Sequence, residues 1–322
     1  MITTNDEPRP LPPPPSTQQA PWDGNTTLGW TLALLASLTF SFAAPIARGA
    51  INAGLNPTTL VALRLALATL LTALTTVLID RRHLRLERRG LLIALLAGVL
   101  NGTGMLLMFW ALARVDASVA SMMLSMLPLA VLTLLALRGE RFTHRHTVRL
   151  VLALLGIYLL IGPGGAVDGV GVLLLVVAVI CFALHMSLLQ WFLRSYNSRV
   201  VTLYISAAMA AVVAGIWLAQ GAEWHNPDWT GWVAVLVLVV VSTFLSRLLM
   251  VAAISRIGSG QMAMLTPVET LLTITWSMLF LGERFAPLQW VGGLLILASA
   301  LLAIQRLGRT RSRGRVTGSQ PV

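Results

Sequence analysis

The sequence predicts an all-α integral membrane protein of ten transmembrane helices, folded as two inverted five-helix repeats. Three observations predict it: an apolar composition, ten apolar stretches of spanning length, and a pair of matching segments half a chain apart. Hydrophobic residues make up 57% of the 322-residue chain and charged residues 11%, with a mean hydropathy of +0.81. A soluble domain carries about one-quarter charged residues, so the chain is polytopic.

Before the spans come residues 1–27, acidic at Asp6 and Glu7 and then Pro-rich from Pro8 to Pro15. This segment lacks the basic, apolar and small-residue order of a cleaved signal peptide, and its composition predicts a disordered cytoplasmic tail. The spans are expected at 28–50, 57–79, 91–113, 117–137, 147–163, 170–193, 200–219, 231–253, 260–281 and 288–305. Each approaches the roughly 20 residues that a 1.5 Å rise needs to cross a bilayer. Residues 307–322 form a basic tail.

All 23 basic residues are Arg. Seventeen fall in loops and tails that share a side with the amino terminus, three (Arg48, Arg114, Arg284) fall opposite, and three (Arg64, Arg149, Arg247) lie within spans. That asymmetry places both termini in the cytoplasm and explains the net charge of +11 without a nucleic-acid partner. The single Cys181 sits in an apolar run, which excludes a disulfide framework and a thiolate metal site. His144 and His146 sit in an Arg-rich loop without a thiol companion, so no metal is expected there either, and no cofactor motif is present.

The repeat is carried by Arg114-Val115-Asp116-Ala117-Ser118 and Arg256-Ile257-Gly258-Ser259-Gly260, offset by 142, and by Gly139-Glu140-Arg141-Phe142 and Gly282-Glu283-Arg284-Phe285, offset by 143. Five spans per copy is an odd number, so the second copy, 164–306, must be upside down relative to the first, 28–163. Inverted repeats with a site between them are a transporter architecture.

Within the ninth span, Thr266, Glu269, Thr270, Thr273 and Ser277 fall at i, i+3, i+4, i+7 and i+11, along one helical face. A carboxylate at that depth is costly and marks a functional site. Pro267 removes the partner of the Ala263 carbonyl and predicts a kink; Pro128 does the same in the fourth span. The copies differ, since Pro128 precedes Gly139 by 11 residues and Pro267 precedes Gly282 by 15.

Arg247, grouped by helical spacing with Thr243 and Met250 on span eight, has two readings. It receives a substrate carboxylate while Glu269 binds an amine or a proton, or the two form a structural ion pair. Arg64, nearer the outer face, reads as a snorkelling arginine. His185, one turn from Cys181, is either a substrate or proton-relay group or a packing histidine. Asn101, between Gly98 and Gly102, contacts substrate or joins helices. Ser118, Ser121 and Ser125 line one side of span four, Trp110 and Trp276 offer stacking surface, and Glu140 and Glu283 stand at helix ends as gate or cap residues.

The paired GERF segments, the proline in each preceding span, the five-plus-five repeat and the Leu265-Thr266-Pro267-Val268-Glu269 stretch resemble the EamA family of the drug/metabolite transporter superfamily over residues 28–306. The resemblance implies a secondary transporter of the bacterial cytoplasmic membrane, exporting a small amino acid or related metabolite, with proton coupling as one route. It implies the lipid bilayer and a small-molecule substrate as partners. Two other classes compete, a non-transporting sensor or assembly subunit and a lipid-processing membrane enzyme. The second needs convergent acids, histidines or metal ligands, and the sequence offers none of those motifs.

Overall fold

The computed structural model describes residues 26–80, 86–137, 144–161, 167–192, 198–221, 228–257, 262 and 265–313. Among the described residues there is no β-strand. The helices are α1 (Thr26–Ser41), α2 (Ala43–Asn52), α3 (Pro57–Asp80), α4 (Arg88–Leu112), α5 (Ala117–Leu124), α6 (Leu127–Leu137) and α7 (His144–Ile161). They continue with α8 (Gly169–Phe192), α9 (Ser198–Ala219), α10 (Trp229–Val237), a π-helical segment (Leu238–Leu245), α11 (Ser246–Ile257), α12 (Thr266–Leu281) and α13 (Pro287–Arg313).

Six stretches are long and apolar enough to cross a bilayer: Thr27–Asn52, Pro57–Val77, Arg88–Leu112, Gly169–Leu189, Val200–Ala219 and Trp229–Met250. Shorter apolar helices cover Ala117–Val131, Thr147–Leu160 and Pro287–Ser299. Leu92, Leu279 and Phe280 are each about two-thirds exposed. An apolar exterior of this kind suits hydrocarbon, where every backbone polar group must be satisfied within its own helix.

The bundle is assembled by α4 against α8 and α9, α1 against α11, α3 against α9, and α7 against α13. The last pair meets backbone to backbone. A Cβ placed on Gly156 would lie 2.8 Å from the Gly292 carbonyl oxygen, and one on Gly292 would lie 2.6 Å from that of Gly156. Only glycine on both sides permits this backbone contact. Beside it Ser299 Oγ donates to Arg149 O at 2.9 Å and Gln289 Nε2 to Leu160 O at 3.4 Å, which extends the seam along both helices.

Some of the apolar stretches are interrupted, and among the described residues proline accounts for two of the breaks. The first span turns at Phe42 between α1 and α2, with Pro45 at the third residue of α2. The stretch expected as the fourth span turns at Ser125 and Met126, with Pro128 at the second residue of α6. In the stretch expected as the ninth, Pro267 is the second residue of α12, and of the residues just before that helix only Met262 and Leu265 are described. The kink expected at Pro128 is a break between α5 and α6, and the break at Pro45 goes beyond the sequence reading. Ala263, whose carbonyl Pro267 was expected to free, lies outside the described residues.

Candidate functional site

The polar face of α12 is built onto the break in the first span. Pro45 has no N–H to give the carbonyl four residues earlier, that of Ser41. The orphan is satisfied from α12: Thr273 Oγ1 stands 3.1 Å from Ser41 O and 3.0 Å from Glu269 O. Trp276 Nε1 donates to Ser41 Oγ at 3.1 Å, and its ring stacks between Phe42 (centroids 4.8 Å apart) and Phe280 (5.7 Å). Thr270 and Ser277 are buried on the same face, where Thr270 Oγ1 bonds Thr266 O at 3.1 Å and the Ser277 hydroxyl has no hydrogen-bond partner among the described residues.

Glu269 is half-buried in the first turn of α12. The positive end of the helix dipole favours a negative charge there, while Pro267 has no N–H to offer and the Glu269 N–H bonds Leu265 O at 2.9 Å. The α12 face thus brings together Thr270, Thr273, Trp276 and Ser277 with Ser41, and sets Glu269 at its head. Sequence spacing grouped Glu269, Thr270, Thr273 and Ser277 on this face, with Trp276 named for its stacking surface; Ser41 and Phe42 were missed, although Pro45 was their signal.

The remaining candidates do not converge on this face. Asn101 Nδ2 donates to Met209 Sδ at 3.2 Å, joining α4 to α9, where Gly98 lets the backbones meet. His185 Nδ1 bonds Ala97 O at 2.9 Å and is buried between α8 and α4. Both contacts match helix-joining roles. The Arg247 side chain, and with it the expected reach toward Glu269, lies outside the described residues, as does Glu140.

Arg64 departs from its reading as a snorkelling arginine. It is 7% exposed, its guanidinium carbon lies 5.8 Å from the centroid of the Phe109 ring, and its Nε and Nη2 donate to Thr243 Oγ1 at 3.1 and 3.0 Å. Thr243 belongs to the π segment, and its own hydroxyl bonds Leu238 O at 2.8 Å. In the first turn of α3, Thr58 and Thr59 hold the indole N–H groups of Trp110 and Trp217 at 3.0 and 3.2 Å.

One end of the bundle is fastened by charge. Gly282, in the left-handed conformation at φ +68°, turns the chain off α12 and directs Glu283 toward α5. The Glu283 carboxylate accepts from the Ala117 N–H at 2.8 Å, the Ser118 N–H at 3.1 Å and the Ser118 hydroxyl at 2.5 Å. It caps α5 across the bundle, so the cap reading holds for Glu283. Arg48 Nη1 bonds Leu112 O, and Nη2 lies 3.6 Å from Asp116.

Nearby, Arg114 Nη1 bonds Asp168 Oδ2 at 3.0 Å, and this contact, with the Val170 N–H, holds the Asp168 carboxyl below the usual carboxylate range. That contribution is present above an ordinary aspartate's value and is lost only as pH falls through the depressed one, so the pair is intact near neutrality. Next to the Trp276 stack, Phe42, Pro45, Ile46, Gly49, Phe280 and Leu281 line an apolar hollow of about 420 Å³.

Broken spans, a polar helix face set within an apolar exterior, and an acid at a helix head define a multi-pass membrane protein of the transporter class. The description "EamA-like transporter family" fits residues 27–162 and again 169–305, and the chain belongs to that family. It is 25% identical over 281 residues to the pseudopaline exporter CntI of Pseudomonas aeruginosa, in each of two strains, covering 86% of this chain and 96% of the relative. A crystal structure 20% identical in sequence superposes with a TM-score of 0.55 over 88% of this chain and 98% of that one, a likeness of fold.

Proposed function

We propose that the chain is a secondary transporter that exports a small amino acid or related metabolite across the bacterial cytoplasmic membrane by alternating access. The observation that carries the proposal is the α12 face meeting the break at Ser41 and Phe42, which puts hydroxyls and an indole at the junction of α1 and α2, with Glu269 one turn before Thr273 on α12. Discontinuous helices place dipole ends and free backbone groups where a solute needs them. Glu269 then holds an ammonium or a coupling proton, Thr266, Thr270 and Thr273 supply hydroxyls, and Pro128 and Pro267 serve as hinges. The named activity of the CntI relatives is export, which agrees with this direction.

The ten-span inverted repeat is the architecture of this proposal, with residues 28–163 and 164–306 as its halves. Two reciprocal contacts support it. A Cβ on Gly29 would meet Ile257 at 2.5 Å, and one on Gly171 would meet Val115 at 2.5 Å. Both partners move by 142 residues between the contacts, which is what a two-fold relation between the halves requires. The family's two matches begin 142 residues apart as well.

Arginine asymmetry orients the molecule with both termini cytoplasmic, so the end fastened by Glu283 is the outer one. Cysteines introduced singly at 163–170 and 220–230 in a Cys181→Ser background should react with an impermeant thiol reagent outside intact spheroplasts. Labelling confined to the cytoplasmic face would refute this orientation.

Activity is tested in proteoliposomes loaded with the twenty amino acids. At least one should leave faster than from protein-free vesicles, and Pro267→Ala should slow that efflux without weakening binding. Equal efflux from vesicles with and without the protein would reject amino-acid transport.

A further inference from the structure

We propose that Arg64 is the subsite for a substrate carboxylate and that Thr243 occupies it in the present conformation, an inference that rests on the transporter reading above. The Nε–Nη2 edge of a guanidinium is a rigid fork of parallel donors matched to the two oxygens of a carboxylate. Here both prongs converge on one neutral oxygen, Thr243 Oγ1, at 3.1 and 3.0 Å. A carboxylate offers each N–H its own acceptor and adds charge, which makes such bonds shorter and roughly twice as strong.

Location supports a ligand-handling role. Arg64 stands seven residues into α3, roughly 10 Å along the helix at 1.5 Å per residue. Its guanidinium turns away from solvent, since the residue is 7% exposed and contacts a side chain of the π segment. Burying a cation inside a membrane span is costly and is characteristic of sites on a solute pathway.

Thr243 is equally unusual. π-helical turns are rare and concentrate at functional sites, and this one runs for eight residues, Leu238–Leu245. The Thr243 hydroxyl gives its proton to Leu238 O across the wide turn, which leaves its lone pairs aimed at Arg64. Tightening the segment to α-helical spacing rotates Thr243 off the guanidinium and opens the fork to an incoming anion. Next to it, Ser242 holds a buried hydroxyl without a hydrogen bond among the described residues, a second polar group that such a rotation would carry along.

The test uses the purified full chain in detergent, with each of the twenty amino acids supplied as the free acid and as its C-terminal amide. A free acid should raise the thermal midpoint of the wild-type chain and its amide should not. Arg64→Met should bind that acid at least about tenfold more weakly, the scale of one lost charged hydrogen bond, and Arg64→Lys should fall between. Thr243→Val should bind it more tightly, because the fork has lost its internal competitor.

Acid and amide acting equally on the wild-type chain, or a monodisperse Arg64→Met chain that still distinguishes them, would overturn the subsite. So would Thr243→Val binding no tighter, a result that remains available if Arg64→Met fails to fold. Stabilisation by no free acid overturns it too. Failure of the transporter reading is seen separately: efflux from proteoliposomes without acid-specific stabilisation sinks the subsite alone, and absence of both sinks the amino-acid reading as well.

Discussion

Glu269→Gln should reach the membrane folded and lose transport. The amide keeps the shape of the side chain and removes its charge. An ammonium or a coupling proton held at the head of α12 depends on that charge, and a charged hydrogen bond contributes about 1.5–3 kcal/mol. Efflux from proteoliposomes should therefore fall on the order of 10- to 100-fold, with normal expression and a normal elution profile. A structural pairing with Arg247 predicts a different phenotype, because stranding one member of a buried pair costs about 3–5 kcal/mol of stability. Arg247→Met combined with Glu269→Gln separates the two. Restored folding and transport would make the pair structural, whereas restored folding without transport would put Glu269 in the mechanism. Full transport by the single variant would defeat both.

The second large effect is expected at Glu283. Its carboxylate closes three hydrogen bonds onto the first residues of α5, two from backbone N–H groups that have no partner inside that helix. Glu283→Ala removes a charged cap, a change of about 2 kcal/mol, or roughly 30-fold in an equilibrium constant. If the cap holds the outer end closed, the population open at that end rises by this factor. A cysteine in place of the buried Ser121, in a Cys181→Ser background, should then label correspondingly faster from outside. Glu283→Gln, which keeps an acceptor oxygen, should fall between. Lower thermal stability with unchanged labelling would make Glu283 a cap and nothing more.

Much of the helical content was legible in the sequence because apolar length is a strong signal in a membrane. The α12 stripe was legible for a second reason, that polar residues at helical spacing stand out against leucine. What the sequence hid is the pairing between helices. Thr243 and Arg64 are 179 residues apart, and nothing in either neighbourhood announces the other. Helical spacing grouped Thr243 with Arg247 and Met250, an assumption the π segment breaks, since a wider turn rotates each residue by less than the α-helical step. Pro45 carried a readable signal, a carbonyl left without its donor, but the identity of that carbonyl's new partner, Thr273, required the fold. The Glu283 cap was half legible: a glutamate beside a helix-ending glycine suggests a cap, and only the packing says that the capped helix is α5.

The Gly156–Gly292 seam has a practical meaning for anyone measuring motion in this molecule. Where two backbones touch with no side chain between them, sliding or rocking has no slack to draw on, and the α7–α13 pair moves as one body. It is therefore the fixed frame of reference. Distance labels anchored on the solvent-facing ends of these two helices should report constant separation throughout a transport cycle. Changes read from any other helix to that frame can then be assigned to the other helix.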